Sequence, residues 1–139
     1  MRNFLQILQN NRFVTLADPL DVKNIILMQK KLTAEGLPIV PESFLKVLHL
    51  SNGITFNDAY ILGIFPNISS IRDIFEENIR LHADGSTLLL GLSGFDFFVY
   101  KPEVKKYQIL DRDDLSVLEE FSEENVFDAI IDFLKIYDV

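Results

Sequence analysis

The chain has no cysteine, no tryptophan and only two histidines. Without cysteine there are no disulfides, no thiolate nucleophile and no cysteine-based zinc site; the composition fits a reducing compartment. Long apolar runs are also missing. The longest uncharged stretch, Ala59 to Ile71, is thirteen residues and is broken by Pro66, whereas a membrane-spanning helix needs about 20 apolar residues. No secretion signal is expected, because Gln6, Gln9 and Asn10 interrupt the first apolar run and no small-residue cleavage site follows. A cytoplasmic protein with no membrane contact is therefore expected. The Asn67-Ile68-Ser69 acceptor triplet carries no meaning in that setting.

Positive charge is scarce where it would matter for nucleic acid. The net charge is −8, and all of it lies in residues 111–139, which hold ten acidic and two basic side chains. Such a segment repels phosphate backbones, so direct nucleic-acid binding is not expected; it attracts a basic partner instead. Lys101, Lys105 and Lys106 form the one basic cluster, and they read as a solvated hairpin turn.

What is present is apolar and aromatic. Of 139 residues 48% are hydrophobic, and twelve are phenylalanine. A chain of this length buries roughly two-thirds of its unfolded surface, and no linker or repeat divides it, so residues 1–139 are expected to form one domain. Phe4, Leu5, Ile7 and Leu8 suggest a short opening helix. Asp18-Pro19 suggests a second start, with Asp18 as N-cap, an inner face of Val22, Ile25, Ile26 and Leu32, and an end at Gly36. Pro41 suits a first turn, Phe44, Val47 and Leu48 recur at helical spacing, and Asn52-Gly53 closes that helix with Gly53 left-handed. The period then shortens. Ile54–Phe56 and Tyr60–Phe65 read as strands around Asn57-Asp58. Ser69 or Ser70 would cap a helix that turns Ile71, Ile74, Phe75 and Ile79 inward, and Asp84-Gly85 marks a turn. Thr87–Leu92, Phe95–Tyr100 and Tyr107–Asp111 read as an antiparallel meander, joined first by Ser93-Gly94. Phe97 and Val99 face one side of the middle strand and Phe98 and Tyr100 the other, so that strand is expected to be central and covered on both faces. Ser122 would cap a closing helix whose buried side is Phe127, Ile130, Ile131, Leu134 and Tyr137. Helices first, then strands with one helix between, then a last helix, without regular alternation, argue for an α+β fold.

The chemistry-bearing residues have plain readings. His49 sits in a last helical turn, where it complements the dipole, and neither it nor His82 has a ligand partner at metal spacing. Gly91-Leu92-Ser93-Gly94 lacks the spacing of a nucleophile elbow and reads as a hairpin turn. Asp111, Asp113 and Asp114 lack the central glycine and terminal glutamate of a calcium loop and read as a solvated turn. Glu119, Glu120, Glu123, Glu124 and Asp128 read either as a solvated face or as a docking surface for a basic protein. No catalytic set is visible, so an enzyme is not expected, and neither cofactor nor metal is implied.

The order of several short motifs resembles the SUKH superfamily, also called the Smi1/Knr4-like fold. They are Pro41-x-x-Phe44-Leu45, Asn52-Gly53, Leu90-Gly91-x-x-Gly94-x-Asp96, Ile109-Leu110-Asp111, and Phe121, Phe127 and Phe133-Leu134 at the end. The resemblance spans roughly Asp21 to Tyr137. It implies a single domain with a mostly antiparallel or mixed sheet flanked by helices, in which Pro41, Phe44, Leu45, Asn52, Gly53, Gly91 and Gly94 are scaffold. It also implies a non-enzymatic binding domain. In bacterial members this is an immunity protein that neutralises a polymorphic or contact-dependent toxin, often a nuclease; in other members it is a regulatory or scaffold module. The candidate contact residues are then Asp111, Asp113, Asp114, Glu119, Glu120, Glu123, Glu124 and Asp128.

Overall fold

The computed structural model describes residues 3–81 and 85–136, and within them the alternating middle of the chain becomes one antiparallel sheet. Its strands are β1 (Val14–Leu16), β2 (Ile54–Phe56), β3 (Ala59–Ile61), β4 (Leu88–Leu92), β5 (Asp96–Lys101), β6 (Lys106–Asp111) and β7 (Val117–Ser122). They lie side by side in sequence order. The helices are α1 (Phe4–Gln9), α2 (Lys23–Ala34), α3 (Glu42–Leu50), α4 (Ile74–Arg80) and α5 (Val126–Leu134), with a short 3-10 turn at Glu123–Asn125. The fold is α+β. None of the described helices is long and apolar enough to cross a membrane. His82, Asp84 of the expected turn and Tyr137 of the expected helix face lie outside the described residues.

The meander forms as its alternation demands. Phe98 of β5 stacks on Tyr107 of β6 at 5.4 Å and meets Phe133 of α5 at 5.6 Å. Helix α5 lies over this face, against β3, β6, β7 and α3. Gly91, opposite Phe98, lets it come close: a Cβ there would stand 2.9 Å from the Tyr60 carbonyl and 3.1 Å from the Phe133 ring. Gly94 turns between β4 and β5 and donates its N–H to Asp58 Oδ2 (3.1 Å). The second face of β5 differs from expectation. Val99 is buried, but Phe97 is only half-buried, and the two floor an open groove rather than a second helix layer.

Several expected caps move. Helix α2 begins at Lys23, and Asp21, not Asp18, takes the Lys23 N–H (3.0 Å). Its buried residues are Met28 and Leu32, with Ile25 half-buried, while Val22 and Ile26 of the expected inner face are exposed. Its end near Gly36 is as expected, with Leu37 N–H returning to the Leu32 carbonyl and Gly36 N–H to that of Thr33. Pro41 stands just before α3, and its carbonyl accepts from Phe44 and Leu45. Phe44, Leu45, Val47 and Leu48 are buried as the spacing predicts. Helix α4 starts after Asp73, not after Ser69 or Ser70. The two Asp73 carboxylate oxygens accept the N–H groups of Phe65 (2.8 Å) and Glu76 (3.0 Å), so this one side chain holds a loop and a helix start together. The helix then buries Ile74, Glu77 and Asn78 and leaves Ile79 exposed. Glu77 is tolerated inside because Arg72 (3.0 Å) and Arg80 (2.6 Å) both pair with it. Ser122 precedes the 3-10 turn without a side-chain cap bond to its backbone.

Three side-chain amides repeat one arrangement. Gln29, Asn52 and Asn78 each bind both the N–H and the C=O of a single residue, respectively Val40, Ile64 and Leu89, at 2.8 to 3.0 Å. Each amide stands in for a neighbouring strand where none passes. Asn78 does so at the β4 bulge between Leu89 and Gly91. Asn52 does so at the exit of α3. That exit is not the expected left-handed cap, because Ser51 is extended. Gly53 does take a positive φ of 106°, and the site is also crowded: a Cβ there would run into Ile71 Cγ2 and lie 3.1 Å from the Ile61 carbonyl.

Candidate functional site

The acidic residues are strung along the β6–β7 hairpin and the start of α5 rather than gathered at one point. Asp111 ends β6, and its Oδ1 accepts the N–H groups of Asp113 (2.8 Å) and Asp114 (3.2 Å). Asp114 Oδ1 accepts from the Ser116 backbone (2.9 Å). Ser116, through its hydroxyl and its N–H, holds the Asp114 carboxyl below its ordinary range. Two of the three aspartates thus shape the turn, and Asp113 is exposed. Among the described residues no group of three histidine, aspartate or glutamate side chains is placed to hold a metal ion.

That turn fixes one unusual residue. Leu115 has φ of 61° and donates its N–H to the Asp111 carbonyl. A leucine in this region is strained where glycine would not be, and its side chain is 58% exposed.

Strand β7 follows, an edge strand exposed from Val117 to Glu120. Glu119 and Phe121 pair across from Ile109 and Tyr107, on the side of α5. There Asp132 shares a hydrogen bond with Glu119 and raises its carboxyl, the mark of two like charges held close. Glu120 points the other way. It accepts from Gln108 Nε2 (2.7 Å) and pairs with Lys106 Nζ (3.1 Å), which together hold it below its ordinary range. Glu123 accepts the Tyr100 hydroxyl (3.1 Å). Glu124 and Asp128 are exposed and rim a cleft of about 530 Å³ between α1 and α5, walled by Phe4, Leu5, Ile7, Leu50, Phe127 and Ile131. The outcome is a negative edge with apolar surface beside it. His49 is exposed at the end of α3, and Ser93 spends its hydroxyl on the turn, accepting from Asp96 N–H at 3.0 Å.

Beneath the edge lies a buried polar pair. Tyr107 shares a hydrogen bond with Ser43 (2.5 Å), and its ring meets that of Tyr100 at 5.0 Å. Burial, and then the Glu123 carboxylate, pushes the Tyr100 phenol from its ordinary 10 to about 12; burial also raises Tyr107. Both groups have folded values above their unfolded ones. The stability they contribute is complete below pH about 10 and falls as the pH rises through the folded values. Tyrosinate absorbance should show these two phenols still protonated at pH about 11, with denaturant midpoints falling above pH about 10. Ionisation of every tyrosine at the ordinary value would contradict the buried pair.

Sequence reasoning missed β7 as a strand and, with it, the roles of Gln108 and Leu115. No family model matches the chain, and no curated protein matches it either.

Proposed function

We propose that this chain is a non-enzymatic protein-binding domain of the immunity-protein type, which neutralises a basic toxin domain in the cytoplasm by covering it. The observation that carries this reading is the exposed β7 edge. Glu119 and Glu120 lie there beside Val117 and Leu118, which are 54% and 51% exposed, and no described strand pairs with the outer side. An open strand edge is a ready template for another chain. Its charge selects a basic partner and speeds encounter, while the apolar side chains supply contact area. The resemblance to the SUKH superfamily supplies the toxin-neutralising part of the reading.

The test is binding and protection together. Co-expression with the toxin domain encoded beside its gene should restore growth. The triple change Glu119→Lys, Glu120→Lys and Glu124→Lys should weaken binding about tenfold at low salt and flatten its salt dependence. An unchanged affinity and salt slope would remove this surface from the interface. Absence of protection, with a host regulator captured instead, would point to the regulatory module.

A further inference from the structure

Among the described residues, the exposed large apolar side chains gather chiefly in two places. One is the β6–β7 hairpin, with Leu115, Val117 and Leu118. The other is α2, where Val22, Ile26 and Leu27 are each more than half exposed. Ile39 joins them, because the grip of Gln29 on Val40 keeps the neighbouring residue alongside the helix. The two clusters carry opposite charge. Helix α2 holds Lys23, Lys30 and Lys31 and no carboxylate. Residues 22, 23, 26, 27 and 30 recur at steps of three and four, so they share the side of the helix turned away from buried Met28 and Leu32. Lys31 lies over the Phe65 and Phe75 rings, whereas no described carboxylate pairs with Lys23 or Lys30. On β7 the position is reversed. Glu119 is crowded by Asp132, and no described cation pairs with either.

We propose that the outward face of α2 docks on the β7 edge of a second copy of this chain, and that this contact covers the edge until a basic partner displaces it. Charge selects the occupant. Lys23 and Lys30 lack a counter-anion, Glu119 lacks a counter-cation, and each surface supplies what the other lacks. Exposed aliphatic side chains lie beside the charges on both, so one approach removes apolar area from water on both sides. An open edge strand is a pairing hazard, and a helix laid over it is one way proteins guard it. Lysine suits that place, since its ammonium only donates and the edge offers carbonyls as well as carboxylates. The other lysine group, at the β5–β6 turn, offers one exposed aliphatic side chain, Val104, and its Lys106 is already held by Glu120. A symmetric pairing of β7 on β7 would bring the glutamates of both copies together. The net charge of −8 likewise opposes contact wherever basic does not meet acidic. Because the two patches differ, the contact is heterologous and extends from copy to copy. The inference rests on the acidic edge of the protein-binding reading above and adds what covers that edge in the free protein.

Sedimentation of the whole chain tests it. At low salt the weight-average mass should rise with concentration to about twice the monomer's or more. It should return to the monomer's at about 1 M salt, where the screening length is about 3 Å. Lys23→Glu with Lys30→Glu should abolish the rise, and so should Glu119→Lys with Glu120→Lys. The two double variants mixed should associate again, because each then carries the charge the other needs. Glu119→Gln, which removes one crowded charge, should give a smaller loss in the same direction. Ile26→Ser should weaken association about tenfold at an unchanged thermal midpoint. A monomer at every concentration overturns the inference, as does association that survives Lys23→Glu with Lys30→Glu. Folded double variants that stay apart when mixed also overturn it. A native chain that stays monomeric and binds vesicles of anionic phospholipid through the same lysines overturns it in favour of a lipid surface. The α2 variants leave the acidic edge intact, which separates the two readings. A chain that never self-associates but whose α2 variants still bind and neutralise the toxin domain loses this inference and keeps the protein-binding reading. Association through these faces without any protection is the reverse result: it keeps the self-contact and removes the toxin.

Discussion

Asn52→Ala should destabilise the protein by about 2–4 kcal/mol, read as a lower denaturant midpoint at unchanged slope. Asn52 is 7% exposed, and Ile64, the residue it grips, is fully buried. Its Oδ1 accepts the Ile64 N–H at 2.8 Å, and its Nδ2 donates to the Ile64 carbonyl at 2.9 Å. Truncation leaves two main-chain groups without partners in a site closed to water, and each such group costs about 1–3 kcal/mol. The Asn52 main chain is itself tied to Asp18 (3.0 Å), so the side chain joins the segment before α2 to the segment after β3. Asn52→Asp keeps an acceptor for Ile64 N–H but sets a carboxylate against the Ile64 carbonyl, and should be no better than alanine. A loss below about 1 kcal/mol in Asn52→Ala would mean that water replaces the amide.

Gly53→Ala should cost as much or more, about 2–5 kcal/mol, from two separate sources. Its φ of 106° lies where an alanine is strained. The new methyl would also run into Ile71 Cγ2 and meet the Ile61 carbonyl at 3.1 Å. The isoleucine can turn aside; the β3 main chain cannot. Because the two positions are adjacent and serve one junction, the double change should cost less than the sum of the single ones. Full additivity would show that the grip on Ile64 and the passage at Gly53 are independent.

The two expectations began from one dipeptide read as a helix stop. Asn-Gly is a turn signal in any sequence, and the chain does turn there. What no local rule reveals is that the amide reaches twelve residues ahead. The meander from β4 to β6 was legible because its alternation is clean and its turns carry Ser93-Gly94 and Lys101-Pro102-Glu103. Helix α5 was legible from its apolar spacing. Strand β7 was hidden because Val-Leu-Glu-Glu-Phe does not alternate; the shift in register at Ile109 and Leu110 uses up one residue of the period. Strand β1 was too short to show a period. Asp73 outcompeted Ser69 and Ser70 as a cap through a second bond to Phe65, a contact invisible to local reasoning. Gln108 carries no signal at all in a strand, since its partner, Glu120, lies on the next one. Leu115 did leave a trace: the turn Asp111-Arg112-Asp113-Asp114-Leu115 has no glycine where the backbone needs one.

The grip of Asn52 on Ile64 also governs how the molecule ages. An asparagine followed by glycine loses its amide when the next main-chain nitrogen attacks the side-chain carbonyl and closes a succinimide ring. Here both ends of that amide are held by Ile64, and the Gly53 nitrogen is bound to the Ser51 carbonyl at 2.8 Å. The attack needs all three bonds broken at once. Slow conversion of Asn52 to aspartate in stored protein therefore becomes a chemical clock, ticking only when the junction beyond α3 opens.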